Sequence, residues 1–588
     1  MEEYKNYIVT SANEAVARIC YNFIDIACVY PITPSTEIAE FVDKFSFENK
    51  KNFFEQKVLV REMQSEAGSI AMMHGALTSG ALAATFTCSQ GLLLMIPEMY
   101  RISAAHLPGV IHVASRAIAR HALSILCDHS DVYACRQTGW AMLCASSVQE
   151  AQDFAAIAHL AAIDSFFPVL HFFDGFRTSH EIQKIRTINN YYLKNILNYN
   201  QVQKFRNASL NPSRNFIRGS NQNDDIFFQC CEANNIFEQK IFENICKYMN
   251  IFNNNFLTVY HPFDFYGDKN SEYIIIAMGS ICSSIEEVVD YLNKNQNKKV
   301  GLIKVRLFRP FNSNYFCKII SRSVKKISVL DKSKEFGATG EPLFLDILSS
   351  INNLNLNLNI QVLRGRYGIG GKNTSFKDIL GIFENMFQEN SKKIFTVGIN
   401  DDITKLSLNN FNNKFSKTQE INNAIECKFF GLGSDGMIGA VKNITKIIGE
   451  NTDFNIQFYP QYDSKKSGGL TISHLRFNKY KIKSEYYIEK ADYLICSNPE
   501  YIFKYDFTKS LKKNSIFLIN SQDNIKIPKK LYDYIKINNI IICIINAQKI
   551  AEDLNLKSFY GIIMQGAFFK ICLDLNFYKQ KDFLKLII

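Results

Sequence analysis

The sequence predicts a multidomain α/β protein built on largely parallel sheets. Three observations carry that reading. Short apolar runs alternate with segments of helical composition, as βα units require. The apolar runs lack a polar alternation, as strands covered on both faces do. The 588 residues exceed one ordinary core, so about three or four domains are expected.

In chain order, DIACVYPIT, VLVREM, ALAATFT, VIHVAS and PVLHFFDG read as strands. The small-residue segments SEAGSIAMMHGALTSG and VQEAQDFAAIAHLAAI read as helices between them. From 186 to 255 the chain is Asn- and Arg-rich with little period, and it reads as a connecting arm at the end of a first unit, 1–255. A second βα set occupies 256–405: EYIIIAMGS, a helix near IEEVVDYL, KVGLIKVRLFRP, KKISVLDKS and IFTVGIN. A polar linker at 406–424 precedes ECKFFGLG, the strand that opens a third unit, 425–588. No internal repeat is visible.

Composition excludes several function classes. With 47% hydrophobic and 21% charged residues the chain is expected to fold as a soluble globular protein. Its opening has no apolar h-region and runs such as LLLMIP and IIICII are too short to span a bilayer, so the expectation is cytoplasmic, with no membrane partner. The net charge of +11 is spread over Asn- and Lys-rich stretches without interleaved aromatics, which argues against nucleic-acid binding. Fifteen cysteines occur with no CxxC pair and read as reduced, buried small hydrophobes; no metal site is expected.

Three polar groups fall where open α/β sheets place ligands, outside the carboxyl ends of strands. Thr33 lies in YPITPSTE, Glu66 in REMQSEAG, and Arg116 ends the strand GVIHVASR. Each has a plainer alternative. Thr33 with Pro34 fits an N-cap followed by Pro at the first helical position, Glu66 complements a helix dipole, and Arg116 fits a structural ion pair. Together they suit a keto acid, which needs a guanidinium fork for its carboxylate and a hydroxyl for its carbonyl. In the third unit Gly431-Leu432-Gly433-Ser434-Asp435-Gly436 is a GxGxxG pattern between a strand and a helix, a phosphate or dinucleotide signal. The next strong feature, Tyr462-Asp463-Ser464-Lys465-Lys466, offers paired lysines rather than the acid a nicotinamide site wants.

YPITPSTEIAE, REMQSEAG, TFTCSQGLLLMIPEMY, ALSILCDHSDVYACRQTG and HFFDGFRTSHEIQKI look, nearly word for word, like the first domain of pyruvate:ferredoxin (or flavodoxin) oxidoreductases. The chain resembles the N-terminal half of that family. The middle unit matches through KVRLFRPF, VLDKSKEFGATGEPL and GRYGIGGK, with no catalytic residue assigned there. The resemblance implies a transketolase-like pyrimidine-binding domain, a transketolase C-terminal-like domain and a third, Rossmann-like 2-oxoacid oxidoreductase gamma-type domain. It implies that Thr33 and Arg116 bind pyruvate and that Glu66 contacts the aminopyrimidine of thiamine diphosphate, all three being catalytic. It implies a coenzyme A site at Gly433, Ser434, Asp435, Gly436, Met437 and Lys465. Departures fall in the third unit. Where the family reads GRINMIMQ this chain has Tyr560-Gly561-Ile562-Ile563-Met564-Gln565, without the Asn thought to touch coenzyme A.

No CxxCxxCxxxCP run and no GDG…N motif occurs, so iron–sulfur clusters and Mg²⁺ are expected only in a missing C-terminal half. The leading expectation is half of an oxidoreductase that converts pyruvate to acetyl-CoA. Its partners would be that C-terminal half, with ferredoxin- and diphosphate-binding domains, in a homodimeric assembly that meets ferredoxin or flavodoxin indirectly. The alternatives are a non-catalytic remnant serving as a binding or assembly module, and a truncated gene product. As a single chain it is incomplete as an enzyme.

Overall fold

The computed structural model describes residues 7–213, 218–353, 360–401, 403–408, 424–433, 435–462, 469–522, 525–556 and 559–574. They form an α/β structure with three sheets. The seven-stranded sheet runs Leu307–Arg309, Ala141–Ala145, Val169–Asp174, Val110–Ser115, Ala83–Thr87, Ile26–Val29, Leu59–Glu62. All its strands are parallel except the first, which pairs antiparallel with Ala141–Ala145. Its central strands are buried end to end, which is why they carry no polar alternation.

The six-stranded sheet orders Ile394–Thr396, Gln361–Arg366, Lys326–Asp331, Tyr273–Ala277, Val300–Val305 and an antiparallel edge, Phe263–Gly267. The eight-stranded sheet runs Tyr7–Ser11, Ile182–Arg186, Asn455–Gln461, Leu470–Asn478, Ile425–Leu432, Ala491–Cys496, Leu511–Asn520, Ile541–Ile545. Chain segments cross between sheets at two places. Tyr7–Ser11 and Ile182–Arg186, both from the first third of the chain, complete the eight-stranded sheet, and Leu307–Arg309, from the middle of the chain, closes the seven-stranded one.

The stretch 186–255, expected as a connection with little period, is instead largely helical. Its last helix, Asn235–Phe256, buries Ile241, Ile245, Tyr248, Met249 and Phe252. These recur at helical spacing, but the Asn and Lys between them mask the stripe. That helix packs on Val148–Ser165, an Ala-rich helix of which every residue but Gln149 is buried. No helix of the described residues is long and apolar enough to cross a membrane.

Candidate functional site

Thr33, Glu66 and Arg116 follow the strands Ile26–Val29, Leu59–Glu62 and Val110–Ser115. With Ala83–Thr87 between them these strands are neighbours and parallel, so all three residues leave the same edge of the seven-stranded sheet. Thr33 is exposed, while Glu66 and Arg116 are 7% and 9% exposed.

The helix after Thr33 begins at Thr36 with Ser35 as its cap, so Thr33 is not the N-cap that the local pattern also allowed. Ser35 is drawn inward: its hydroxyl donates to the Thr87 carbonyl at 2.6 Å and accepts from the Ala114 N–H at 3.2 Å. The Thr33 carbonyl accepts from Arg116 Nη1 at 2.8 Å and from the Cys88 thiol at 3.2 Å. Burial pushes that thiol up to about 12, so it stays protonated. Arg116 Nε reaches the Ser124 carbonyl at 3.4 Å. Among the described residues no carboxylate pairs with the Arg116 guanidinium, so the ion-pair alternative fails and a nearly buried positive charge stands at the sheet edge.

Glu66 is the first residue of the helix Glu66–Thr78, capped by the Ser65 hydroxyl. A carboxylate there also complements the helix dipole, so that alternative is compatible with the geometry. The side chain lies across Gly91, in the first turn of Ser89–Ala104. A Cβ at Gly91 would stand 2.6 Å from Glu66 Oε1 and 2.7 Å from Thr87 Oγ1, so only glycine leaves room for this carboxylate. Glu66 makes no hydrogen bond or ion pair with the described residues, and Thr87 Oγ1 beside it is buried without a partner. A buried acid without an internal partner at a strand edge fits an external donor or acceptor such as an aminopyrimidine ring.

Asp131 was not singled out from the sequence, although it lies within the ALSILCDHSDVYACRQTG stretch. It is fully buried and accepts from Ser89 N (2.8 Å), Arg116 N (2.9 Å), Ser115 Oγ (2.6 Å) and Val132 N (2.8 Å). Burial raises its carboxyl to about 6.

In the third unit the glycine-rich loop joins the strand Ile425–Leu432 to the helix Met437–Asn451. Gly436 caps that helix at φ +78°, a conformation glycine adopts without strain, and a Cβ at Gly433 would meet the Gly469 carbonyl oxygen at an ordinary 3.7 Å. The Asp435 carboxylate turns inward, accepting from Leu432 N (2.7 Å), Met437 N (2.9 Å) and Ser497 Oγ (2.7 Å). Met437 is buried in the core. Asp435 and Met437 therefore build the loop, and the first amide of the helix is already occupied by a carboxylate. Ser434 and Lys465 lie outside the described residues.

A small cavity of about 50 Å³ opens where the three sheets meet, lined among others by Arg177, Ser280, Lys332, Tyr367 and Tyr459. None of the residues expected from the sequence lines it.

Family comparisons agree along the chain. The model described as "Pyruvate flavodoxin/ferredoxin oxidoreductase, thiamine diP-bdg" matches residues 19–250, "Pyruvate:ferredoxin oxidoreductase core domain II" matches 271–379, and "Pyruvate ferredoxin/flavodoxin oxidoreductase" matches 426–585. A pyruvate-flavodoxin oxidoreductase of Enterobacter agglomerans is 45% identical over 578 residues, 97% of this chain and 49% of that protein. A pyruvate:ferredoxin oxidoreductase of Moorella thermoacetica is 45% identical over 564 residues, 95% of this chain and 48% of that protein. A solved 2-oxoglutarate:ferredoxin oxidoreductase of Magnetococcus marinus, with 2-oxoglutarate, coenzyme A and succinyl-CoA bound, is 17% identical with a TM-score of 0.49, covering 65% of this chain and 66% of that one. The chain spans about half the length of the curated relatives it matches. With 45% identity along nearly its whole length and three matching models in order, the chain belongs to the pyruvate:ferredoxin/flavodoxin oxidoreductase family, corresponding to the N-terminal half of its members.

Proposed function

We propose that this chain is the substrate- and pyrimidine-binding half of a thiamine-dependent pyruvate oxidoreductase. The observation that carries the proposal is the convergence of Glu66, a buried carboxylate free of internal partners, with Arg116, a nearly buried cation free of an acid, on one edge of one sheet. Glu66 would hold the pyrimidine side of thiamine diphosphate, exchanging a proton with the ring nitrogen it faces. Once bound, that cofactor supplies the carbon nucleophile. Arg116 would orient the pyruvate carboxylate by a charge-assisted bond, and the exposed Thr33 hydroxyl would donate to the keto oxygen. Gly91, by leaving no side chain in the way, keeps the acid aimed at the edge.

The boundaries 1–255, 256–405 and 425–588 remain the proposed division, with strands exchanged across it. We assign Mg²⁺, the cofactor's diphosphate and the iron–sulfur clusters to the length of the relatives beyond this chain, and ferredoxin or flavodoxin reaches the enzyme through that part. The apolar flank of the site suits such a partner: the helix Ser89–Ala104 leaves Leu94 and Tyr100 about half exposed. Coenzyme A as acetyl acceptor, bound at the Gly433–Met437 loop with Lys465, and a homodimeric, cytoplasmic assembly complete the proposal.

The test is co-expression with the C-terminal half of a close relative and assay of pyruvate-dependent dye reduction. Glu66→Gln is expected to abolish turnover while the two halves still copurify. Full activity in that variant would reduce Glu66 to a helix-terminal acid.

A further inference from the structure

A buried carboxylate without a counter-ion is expensive, and a packing role alone does not call for one. Asp131 is such a group: it is fully buried, no cation among the described residues pairs with it, and its four partners there are three backbone amides and one hydroxyl. The identity of those partners gives it a purpose. One oxygen, Oδ2, accepts both the amide of Ser89 and the amide of Arg116, at 2.8 and 2.9 Å, and so ties the ends of two neighbouring strands together.

Each tie leads to the candidate site. Arg116 is the proposed carboxylate fork. Ser89 begins the helix that carries Gly91, on which the Glu66 side chain rests, and it follows Cys88, whose thiol bonds the Thr33 carbonyl. Ser89 sits at φ +51°, a left-handed conformation that is strained for a serine. That conformation persists only because its surroundings hold it. The Asp131 bond to its amide and its own hydroxyl bond to the Ala117 carbonyl at 2.7 Å do so.

From this geometry we infer that Asp131 is a positioning residue that sets the spacing of Arg116, Thr33 and Glu66 without touching substrate or cofactor. The inference rests on the function proposed above. It explains why an acid stands where a neutral residue would pack at lower cost.

The test uses the full chain, alone and in the reconstituted complex. Asp131→Asn leaves one acceptor oxygen for four donors and sets its amide donor against the Ser89 and Arg116 amides or against the Val132 amide. In the full chain, hydrogen exchange at Ser89 and Arg116 is expected to accelerate about tenfold or more, with the eight-stranded sheet unchanged. In the complex the pyruvate concentration for half-maximal rate should rise about tenfold. Adding Ser89→Gly, which accepts the left-handed backbone without an anchor, should recover part of that loss. A merely structural residue would lower the amount of folded enzyme without this shift or this rescue. Should Asp131→Asn fail to fold, Ser115→Ala removes one donor to the same carboxylate and is expected to raise the pyruvate requirement about threefold. An unchanged requirement in a folded variant overturns the inference. Arg116→Ala separates the two levels: if it too leaves the requirement unchanged, the site reading itself is wrong, whereas an effect of Arg116→Ala alone rejects only the role of Asp131.

Discussion

Lys332 Nζ donates to Asp174 Oδ2 at 2.7 Å across the junction between the seven-stranded and six-stranded sheets. Asp174 ends a strand of the first sheet, and it also accepts from His129 Nε2 and Ser280 Oγ, each at 2.7 Å. Lys332 and Ser280 follow strands of the second. Burial alone would raise the Asp174 carboxyl, but Lys332 and His129 outweigh it and hold it well below the usual carboxylate range.

Lys332→Met should therefore destabilise the chain by about 3–5 kcal/mol, because it leaves a buried charge short of its main partner rather than deleting a surface pair. Urea unfolding followed by far-UV dichroism reads this. A loss under about 1 kcal/mol would mean that His129 and Ser280 suffice.

Three buried histidines make a pH prediction with a definite sign. His112 Nδ1 lies 3.0 Å from His171 Nδ1, and its Nε2 lies 3.2 Å from His159 Nε2. Burial lowers His112 to about 3 and the other two well below the usual histidine range. The folded state thus keeps neutral rings while the unfolded chain takes up protons below about pH 6.5, so their share of stability falls as pH falls. The raised acids Asp131 and Asp331, near 6 and 7, act oppositely, since their share is fully present below about pH 3.9 and lost as pH rises through those values. A single variant isolates the histidine contribution. His171→Leu removes one ring, whose Nε2 is buried without a partner. The fall in unfolding free energy from pH 7 to 5.5 should then shrink by about 1 kcal/mol. An unchanged pH dependence would show that His171 does not titrate on unfolding.

The central parallel strands were legible because burial on both faces leaves continuous apolar runs, and the shared sheet edge of the candidate residues was legible because Thr33 and Arg116 each follow such a run and Glu66 follows the exposed edge strand Leu59–Glu62. What escaped depends on partners distant in sequence. Nothing local says that Tyr7–Ser11 and Ile182–Arg186 extend a sheet formed mainly by residues beyond 424, or that Leu307–Arg309 closes the first sheet. Asp131 reads locally as an acid near a short helix. Its role appears only when the strands ending at Thr87 and Ser115 lie side by side. Asp435 carries a structural part that the spacing of its loop did not show: its carboxylate turns inward and accepts from the Leu432 and Met437 amides.

Arg116→Ala should raise the pyruvate requirement of the reconstituted complex ten- to a hundredfold, since a charge-assisted bond contributes about 1.5–3 kcal/mol. Cofactor affinity should change far less, because Glu66 lies on a different strand end. A variant that loses thiamine diphosphate but keeps its pyruvate dependence would reverse the assignment of the two residues.

The last prediction concerns coenzyme A and Gly561. This glycine opens the helix Gly561–Asp574, which packs directly on the glycine-rich loop. A Cβ at 561 would stand 2.9 Å from the Gly436 carbonyl oxygen and 3.0 Å from its carbon, and both are backbone atoms that cannot swing away. The asparagine expected here from the family resemblance would have to push the loop aside. With that side chain absent, one or two neutral hydrogen bonds of about 0.5–1.5 kcal/mol each are missing. Asp435 also already occupies the Met437 amide, so the attraction left to the helix start is reduced. Coenzyme A should bind the full chain weakly, and more weakly as salt rises, because what remains is mostly charge. Gly561→Asn should not tighten binding and should destabilise the third unit by about 1–3 kcal/mol, as overpacking against backbone does. Calorimetric titration with coenzyme A and with NADPH, at low and high salt, decides it. Tighter binding of NADPH would overturn the coenzyme A assignment, and tighter coenzyme A binding by Gly561→Asn would show that the loop yields to a side chain at 561.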